Sequence, residues 1–280
     1  MSEAETVQRV KTPGTRTSLA RDLRQLGLAP GMTVLVHSSL KALGWVNGGP
    51  VAVIQALQGV LTPQGTLVMP AHSGDLSDPA KWQNPPIPQE WHQLVRDTMP
   101  AFDPRLTPTR GLGRIAELFR TWPGVQRSQH PQVSFAARGQ HAAFVTGSHE
   151  LANSLGEGSP LARIYDLDGG VLLLGVGYDS NTSFHLAEYR AGNAQPFTAG
   201  APVMRNGRHA WITYDDIQFN DELFPQIGAD MEAQTDIVII GQVAAATCRL
   251  YRQQPGVDFA TRWLANKQST TNSQQLTTNN

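Results

Sequence analysis

His185 and Glu188 stand three residues apart in the run Asn181-Thr182-Ser183-Phe184-His185-Leu186-Ala187-Glu188. On a helix, positions i and i+3 share a face, which sets the carboxylate beside the imidazole. A carboxylate there fixes the ring tautomer and raises its basicity, equipping a histidine as a general base. Asp179 and Asn181 could hold the other side of the ring or a substrate, while Thr182 and Ser183 offer hydroxyls to a developing oxyanion. The alternative is a histidine that caps a buried helix end. The flanking glycines and the polar run 179–183 argue for chemistry.

A second stretch, His37-Ser38-Ser39-Leu40 followed by Gly44 and by Gly48-Gly49-Pro50, is rich in hydroxyls and glycines. Pro50 fits the first turn of a helix, whose free N–H groups and dipole suit a phosphate. The spacing matches neither a dinucleotide fingerprint nor a Walker loop, so an ordinary crossover loop stays open. Three other chemistries are less well founded. His37, His72 and His130 with a carboxylate could assemble a zinc site, but no HExxH spacing is present. No G-x-S-x-G elbow announces a serine nucleophile. The single cysteine, Cys248, excludes an intrachain disulfide and a cysteine-based zinc site, and reads as a small buried hydrophobe.

The elements that must position these residues follow from the apolar pattern. A helix is expected over 17–28 with Thr17 or Ser18 as its cap, a buried strand over 33–36, a helix over 50–60 and a buried strand over 66–69. This order is βαβ logic with a parallel pair. Residues 70–108 hold eight prolines and little periodicity, which suits an active-site wall or lid. Trp82 and Trp91 are expected to pin that wall to the core. Asp75 and Asp78 either line a pocket or cap turns. The run 171–175 is a buried strand that empties at Gly175 and Gly177 into the polar residues before His185, where open α/β folds place ligands. Asn206-Gly207 joins a hairpin of 202–205 and 210–214. Strands are expected over 235–240 and again over 241–248, and a terminal helix over 259–264. The fold class is therefore α/β, with a mixed, largely parallel central sheet flanked by helices and carrying inserted loops and a hairpin. Residues 1–266 read as one domain, with a possible subdivision near residue 192, and 267–280 as a disordered polar tail.

Composition removes several function classes. The chain has 280 residues, 22 Lys plus Arg against 23 Asp plus Glu, and no basic stripe for nucleic acid. No run approaches the roughly 20 apolar residues that span a bilayer. The start has no apolar segment of a signal peptide, so a soluble cytoplasmic protein is expected. Nothing decides between monomer and homodimer.

Taken together, the blocks resemble the aminoglycoside 3-N-acetyltransferases. They run from Val36-His37-Ser38-Ser39-Leu40 through Leu67-Val68-Met69-Pro70, Phe102-Asp103-Pro104 and Thr107-Pro108-Thr109-Arg110. They continue with Arg127-Ser128, His130-Pro131, Ser134-Phe135-Ala136-Ala137 and Leu155-Gly156-Glu157, ending at 181–188. The resemblance covers about residues 17–252. It implies an antibiotic N-acetyltransferase-like fold distinct from the GNAT fold, with acetyl-CoA as cosubstrate. It implies direct transfer to a primary amine, most simply the 3-amino group of a 2-deoxystreptamine aminoglycoside. His185 would be the base, Glu188 its holder, and Ser183 or Ser38 a partner for the oxyanion. Coenzyme A would lie on His37, Ser38, Ser39, Leu40, Gly44, Gly48 and Gly49, with further contacts from Arg110, Ser128 and Ser134. Substrate ammonium groups would meet Asp75, Asp78, Asp179, Asp215 or Glu222. Within the family, acetylation of a non-aminoglycoside amine stays open, as do two other classes: a metal-dependent amide hydrolase, and an amino-sugar or polyamine-binding module without turnover.

Overall fold

The computed structural model describes residues 3–278, and side chains for 4–267. The chain begins with α1 (Glu3–Gln8) and α2 (Arg16–Gln25), then β1 (Thr33–Ser38), α3 (Gly49–Leu61) and β2 (Thr66–Pro70). Next come α4 (His92–Thr98), α5 (Gly113–Arg120), β3 (Gln126–Arg127), β4 (Phe135–Gly139), α6 (Ala142–Thr146), α7 (Pro160–Asp166), β5 (Gly170–Leu174) and α8 (Ser183–Ala191). The last part holds β6 (Pro196–Arg205), β7 (Arg208–Ile217), α9 (Phe224–Gln234), β8 (Ile239–Val243), β9 (Ala246–Arg252) and α10 (Gln253–Thr278). The tail expected over 267–280 falls, past Lys267, outside the residues whose side chains are described.

One seven-stranded sheet, in the order β3-β4-β2-β1-β5-β9-β8, carries the molecule. Its central strands are buried on both faces, and their side chains alternate between two cores. Val34, Val36, Leu67, Met69, Leu172 and Leu174 face one core, against Leu19 and Leu23 of α2, α3, and Ile115 and Phe119 of α5. Leu35, Val68, Val171 and Leu173 face the other, against α7, Phe184 and Leu186 of α8, α9 and α10. The period of two sends successive residues to opposite faces, so a continuous apolar run is required wherever both faces are covered. α2 is closed by a capping box from Thr15, whose hydroxyl accepts the Ser18 N–H while Ser18 Oγ accepts the Thr15 N–H. The cap is therefore two residues earlier than Thr17.

The expectation of a largely parallel sheet is corrected. Only β1–β2 and β1–β5 are parallel; β2–β4, β3–β4, β5–β9 and β8–β9 are all antiparallel. Double-sided burial makes a strand apolar throughout whatever its direction. Direction is set by the connections, and β8 reaches β9 through a tight turn at Ala244, with φ 49°, inside the stretch expected to be one strand. A tight connection permits only an antiparallel neighbour. β9 and β8, which follow residue 192, pair into the same sheet as β5, which precedes it. β6 and β7 form a separate two-stranded ribbon whose Asn206-Gly207 turn has φ of 52° and 73°, as a type I′ hairpin needs.

Candidate active site

Three chain segments leave the carboxyl ends of the parallel strands β1, β2 and β5 together. They wall a cavity of about 740 Å³. From β1 come His37, Ser38, Ser39, Leu40, Lys41, Gly44, Trp45 and Gly49; from β2, Pro70 and His72; from β5, Val176, Asp179 and Ser180. Gly111 to Arg114 at the start of α5, Asp221, and Thr6 of α1 complete it. A second cavity of about 750 Å³ adjoins it at the start of α3, sharing Trp45, Val46, Gly49 and Arg114 and adding Gly48. The loop 44–49 is built on backbone that only glycine adopts easily: Gly44 has φ 78°, and Gly48 has φ 83°. A Cβ on Gly44 would also stand 2.4 Å from Val10 Cγ1.

Beside this cavity, on the first turn of α8, His185 faces Glu188. Nδ1–H donates to Glu188 Oε2 at 2.6 Å, and the Asn220 N–H donates to Glu188 Oε1 at 2.8 Å. Both carboxylate oxygens are thus held, the side chains being 11% and 6% exposed. The ring packs against Phe219 at 4.6 Å and Phe224 at 4.8 Å between centroids. With its proton on Nδ1, the imidazole presents an unshared pair on Nε2, which has no hydrogen-bond partner among the described residues. His185 itself is not in the cavity wall. Thr182, three residues before it, pairs through its hydroxyl with Nε2 of the wall residue His37 at 3.1 Å. Burial, and after it the charge of His185, pushes the pKa of His37 down to about 3. His72 is held well below the usual histidine range by burial and then by His185 and the other imidazoles. Both of these rings are neutral at working pH.

The residues expected for a coenzyme divide. His37, Ser38, Ser39, Leu40, Gly44 and Gly49 line the main cavity and Gly48 the adjoining one. Arg110, Ser128 and Ser134 line neither. Arg110 is ion-paired with Asp75 at 2.7 Å on the surface. Ser128 and Ser134 are fully buried, their hydroxyls engaged by His149, the Phe135 N–H, Arg127 and the Ala71 carbonyl. Ser183 is buried with its hydroxyl unpartnered and does not reach the wall. Of the acidic set only Asp179 lines the cavity. Asp75 is taken by Arg110, Asp78 caps a 3₁₀ turn and pairs with Arg96 at 2.6 Å, Asp215 accepts from Thr198, and Glu222 is exposed away from the cavity. Trp91 is 54% exposed and pins nothing, whereas Trp82 is held through Nε1 to Ser77 Oγ. What anchors the 70–108 wall is Arg127, a buried guanidinium that donates to the carbonyls of Ala71, Pro104 and Thr107 and to the hydroxyls of Ser73 and Ser134.

Sequence reasoning missed Lys41, Trp45, Arg114 and Asp221 in the walls. The two cations could have been found as the basic residues nearest the two glycine-bearing turns; among the described residues neither is in a carboxylate ion pair. Among the described residues no three His, Cys, Asp or Glu side chains converge as metal ligands. His130 belongs to a separate buried pair with His149, ring centroids 4.8 Å apart. No helix of the described residues is long and apolar enough to cross a membrane.

Comparison with known proteins places this geometry. The family model described as aminoglycoside 3-N-acetyltransferase matches residues 35–265. The SPbeta prophage-derived aminoglycoside N(3')-acetyltransferase-like protein YokD of Bacillus subtilis (strain 168) is 48% identical over 264 residues, 94% of this chain and 97% of its own. The YokD crystal structure superposes with a TM-score of 0.93, at 47% identity, over 95% of this chain and 98% of that one. Aminoglycoside N(3)-acetyltransferase VII of Streptomyces paromomycinus is 36% identical over 95% of this chain and 97% of its own length. A structure described as AAC-IIIb binary with CoASH superposes with a TM-score of 0.81 at 31% identity, covering 91% of this chain and 98% of that one. With sequence and fold agreeing over nearly the whole length, the chain belongs to the aminoglycoside 3-N-acetyltransferase family.

Proposed function

We propose that the protein is an acetyl-CoA-dependent acetyltransferase that acetylates an amino group of aminoglycosides, the 3-amino group of a 2-deoxystreptamine ring, by direct transfer with His185 as the base. The supporting observation is the His185–Glu188 pair beside a cavity walled by glycine turns and by two cations that form no carboxylate ion pair among the described residues. Residues 1–266 act as one domain in the cytoplasm.

The wall suits the cosubstrate. An elongated polyphosphate with an apolar arm needs close backbone approach, cations and length, and the two adjoining cavities offer these through Gly44, Gly48, Gly49, Lys41 and Arg114. Bound there, acetyl-CoA would supply an acetyl thioester, whose acyl–sulfur bond breaks as the amine forms its amide bond, coenzyme A leaving through its sulfur. His185 Nε2 takes the proton that the amine loses, and Glu188 stabilises the resulting imidazolium through Nδ1–H. The Ser38 hydroxyl is placed in the wall to meet negative charge on the acyl oxygen. Asp179 and Asp221, neither of them in an ion pair among the described residues, hold ammonium groups of the substrate.

The test is thiol release from acetyl-CoA with a panel of 2-deoxystreptamine aminoglycosides, simple amino sugars and polyamines, for the wild type and His185→Ala. Turnover on the aminoglycosides, reduced about 100-fold or more in His185→Ala with coenzyme A binding retained, is expected. Turnover on other amines only would remove the aminoglycoside assignment, and wild-type turnover in His185→Ala would remove the base.

A further inference from the structure

We infer that Asp216 and Tyr189 form a clamp that positions Glu188, and through it the imidazole of His185. The inference rests on His185 serving as the base.

Asp216 lies near the end of β7, outside both cavity walls and in no ion pair among the described residues. Its carboxylate nevertheless gathers three donors. Oδ2 accepts the Ser154 hydroxyl at 2.5 Å, while Oδ1 accepts the Ile217 N–H at 2.9 Å and the Tyr189 hydroxyl in a short bond. Burial and Asp216 together raise the pKa of Tyr189, so its hydroxyl stays a donor. The neighbouring Asp215 does nothing comparable; it only accepts from Thr198 on the exposed side of the ribbon. The strands of the ribbon are paired with each other from Pro196↔Ile217 to Arg205↔Arg208, so the knot is an addition to that ladder at its open end.

The knot ties the end of the ribbon to the residue next to Glu188. Three and four residues beyond Asp216 the chain delivers Phe219, whose ring lies 4.6 Å from that of His185, and Asn220, whose N–H holds Glu188 Oε1. Tyr189 also packs on Phe219, 6.3 Å between centroids. The segment 217–220 is thus pinned at its start by Asp216 and spends its far end on the pair. Released, it would free Glu188 Oε1 from its donor and uncover one face of the imidazole. A carboxylate held by one oxygen alone can rotate away from the ring, and the basicity and aim of Nε2 depend on it.

The test uses Tyr189→Phe, which removes only the hydroxyl, and Asp216→Asn, which keeps the volume. Each is compared with the wild type in a full pH profile of kcat/KM, with KM for acetyl-CoA and the melting temperature measured in parallel. A fall in kcat of about tenfold, an acid limb displaced by about half a pH unit or more, and KM for acetyl-CoA within about twofold are expected. An acid limb unchanged from the wild type in Tyr189→Phe overturns the clamp, whatever happens to kcat or the melting temperature, because a purely structural tie would leave that limb in place. Should Asp216→Asn not fold, Tyr189→Phe decides alone. His185→Ala is run alongside. Retained activity there overturns the base and the clamp with it; lost activity there, with a wild-type limb in Tyr189→Phe, overturns the clamp only.

Discussion

Mild acid should weaken this fold through its buried imidazoles, and His149 allows the effect to be isolated. His149 is 8% exposed. The Ser128 oxygen already accepts the Phe135 N–H, so its hydroxyl donates to His149 Nδ1 at 2.9 Å; Nε2–H donates to the Ser154 carbonyl at 2.6 Å. The ring is neutral with both nitrogens engaged. Burial is the main cause that brings its pKa down to about 4, opposed by the Ser154 carbonyl and assisted by Arg163. An unfolded histidine titrates near ~6.5. Between those values the unfolded chain carries a proton on residue 149 that the folded chain refuses. Stability therefore rises with pH across this window and falls as acid is added. The slope is about 1.4 kcal/mol per pH unit for one histidine, so at pH 5 His149 alone has removed about 2 kcal/mol. His130 and His37, pushed to about 3 chiefly by burial, act in the same direction. Three such groups cost about 6 kcal/mol at pH 5, a large part of the roughly 5–15 kcal/mol that holds a typical domain. Carboxylates titrate mostly below this window. The assay is urea unfolding at half-unit steps between pH 7 and 4.5 for the wild type and His149→Gln. The variant should be less stable at pH 7, yet its loss of stability between pH 6 and 5 should be smaller by about 1.4 kcal/mol. Parallel slopes would mean that folded and unfolded His149 bind protons alike, and would refute the reasoning.

Three further outcomes are expected. Arg127→Met should cost about 3 kcal/mol or more in urea unfolding, because five acceptors, three of them buried, lose a donor at once. Arg127→Lys should recover little of it, since one ammonium cannot span that fork; full recovery would show that charge alone suffices. Gly228→Ala should destabilise by about 1–3 kcal/mol, because the new Cβ would stand 2.0 Å from Tyr178 Cδ2 on a helix packed against it; an unchanged melting temperature would count against so tight a contact. Lys41→Ala combined with Arg114→Ala should raise KM for acetyl-CoA about tenfold or more while kcat changes little, read by initial rates at varied cosubstrate; an unchanged KM would move the phosphate site away from these cations.

Local chemistry was legible wherever it depended on neighbours along the chain. The His185–Glu188 contact follows from helical spacing, the Asn206-Gly207 turn from the φ > 0 those residues tolerate, and the strands expected over 33–36, 66–69 and 171–175, found at 33–38, 66–70 and 170–174, from their apolar runs. The 37–49 loop could be read as a cavity wall because its glycines and hydroxyls are consecutive. Relations across the chain were not legible. Strand direction in β4, β8 and β9 depends on turns and connections, and the pattern of buried residues is the same either way. Ser128, Ser134 and Ser183 have the right chemistry for a site, but the fold buries them; only packing determines whether a hydroxyl meets a ligand or a carbonyl. Asp75 and Asp78 are bound by arginines 35 and 18 positions away, and Asp221 reaches the wall because the ribbon returns past α8. Glu188 is completed by a backbone N–H 32 residues downstream. Periodicity and turn chemistry act over a few residues and are written in residue type. The partners of a charge or a hydroxyl are chosen by the folded chain as a whole.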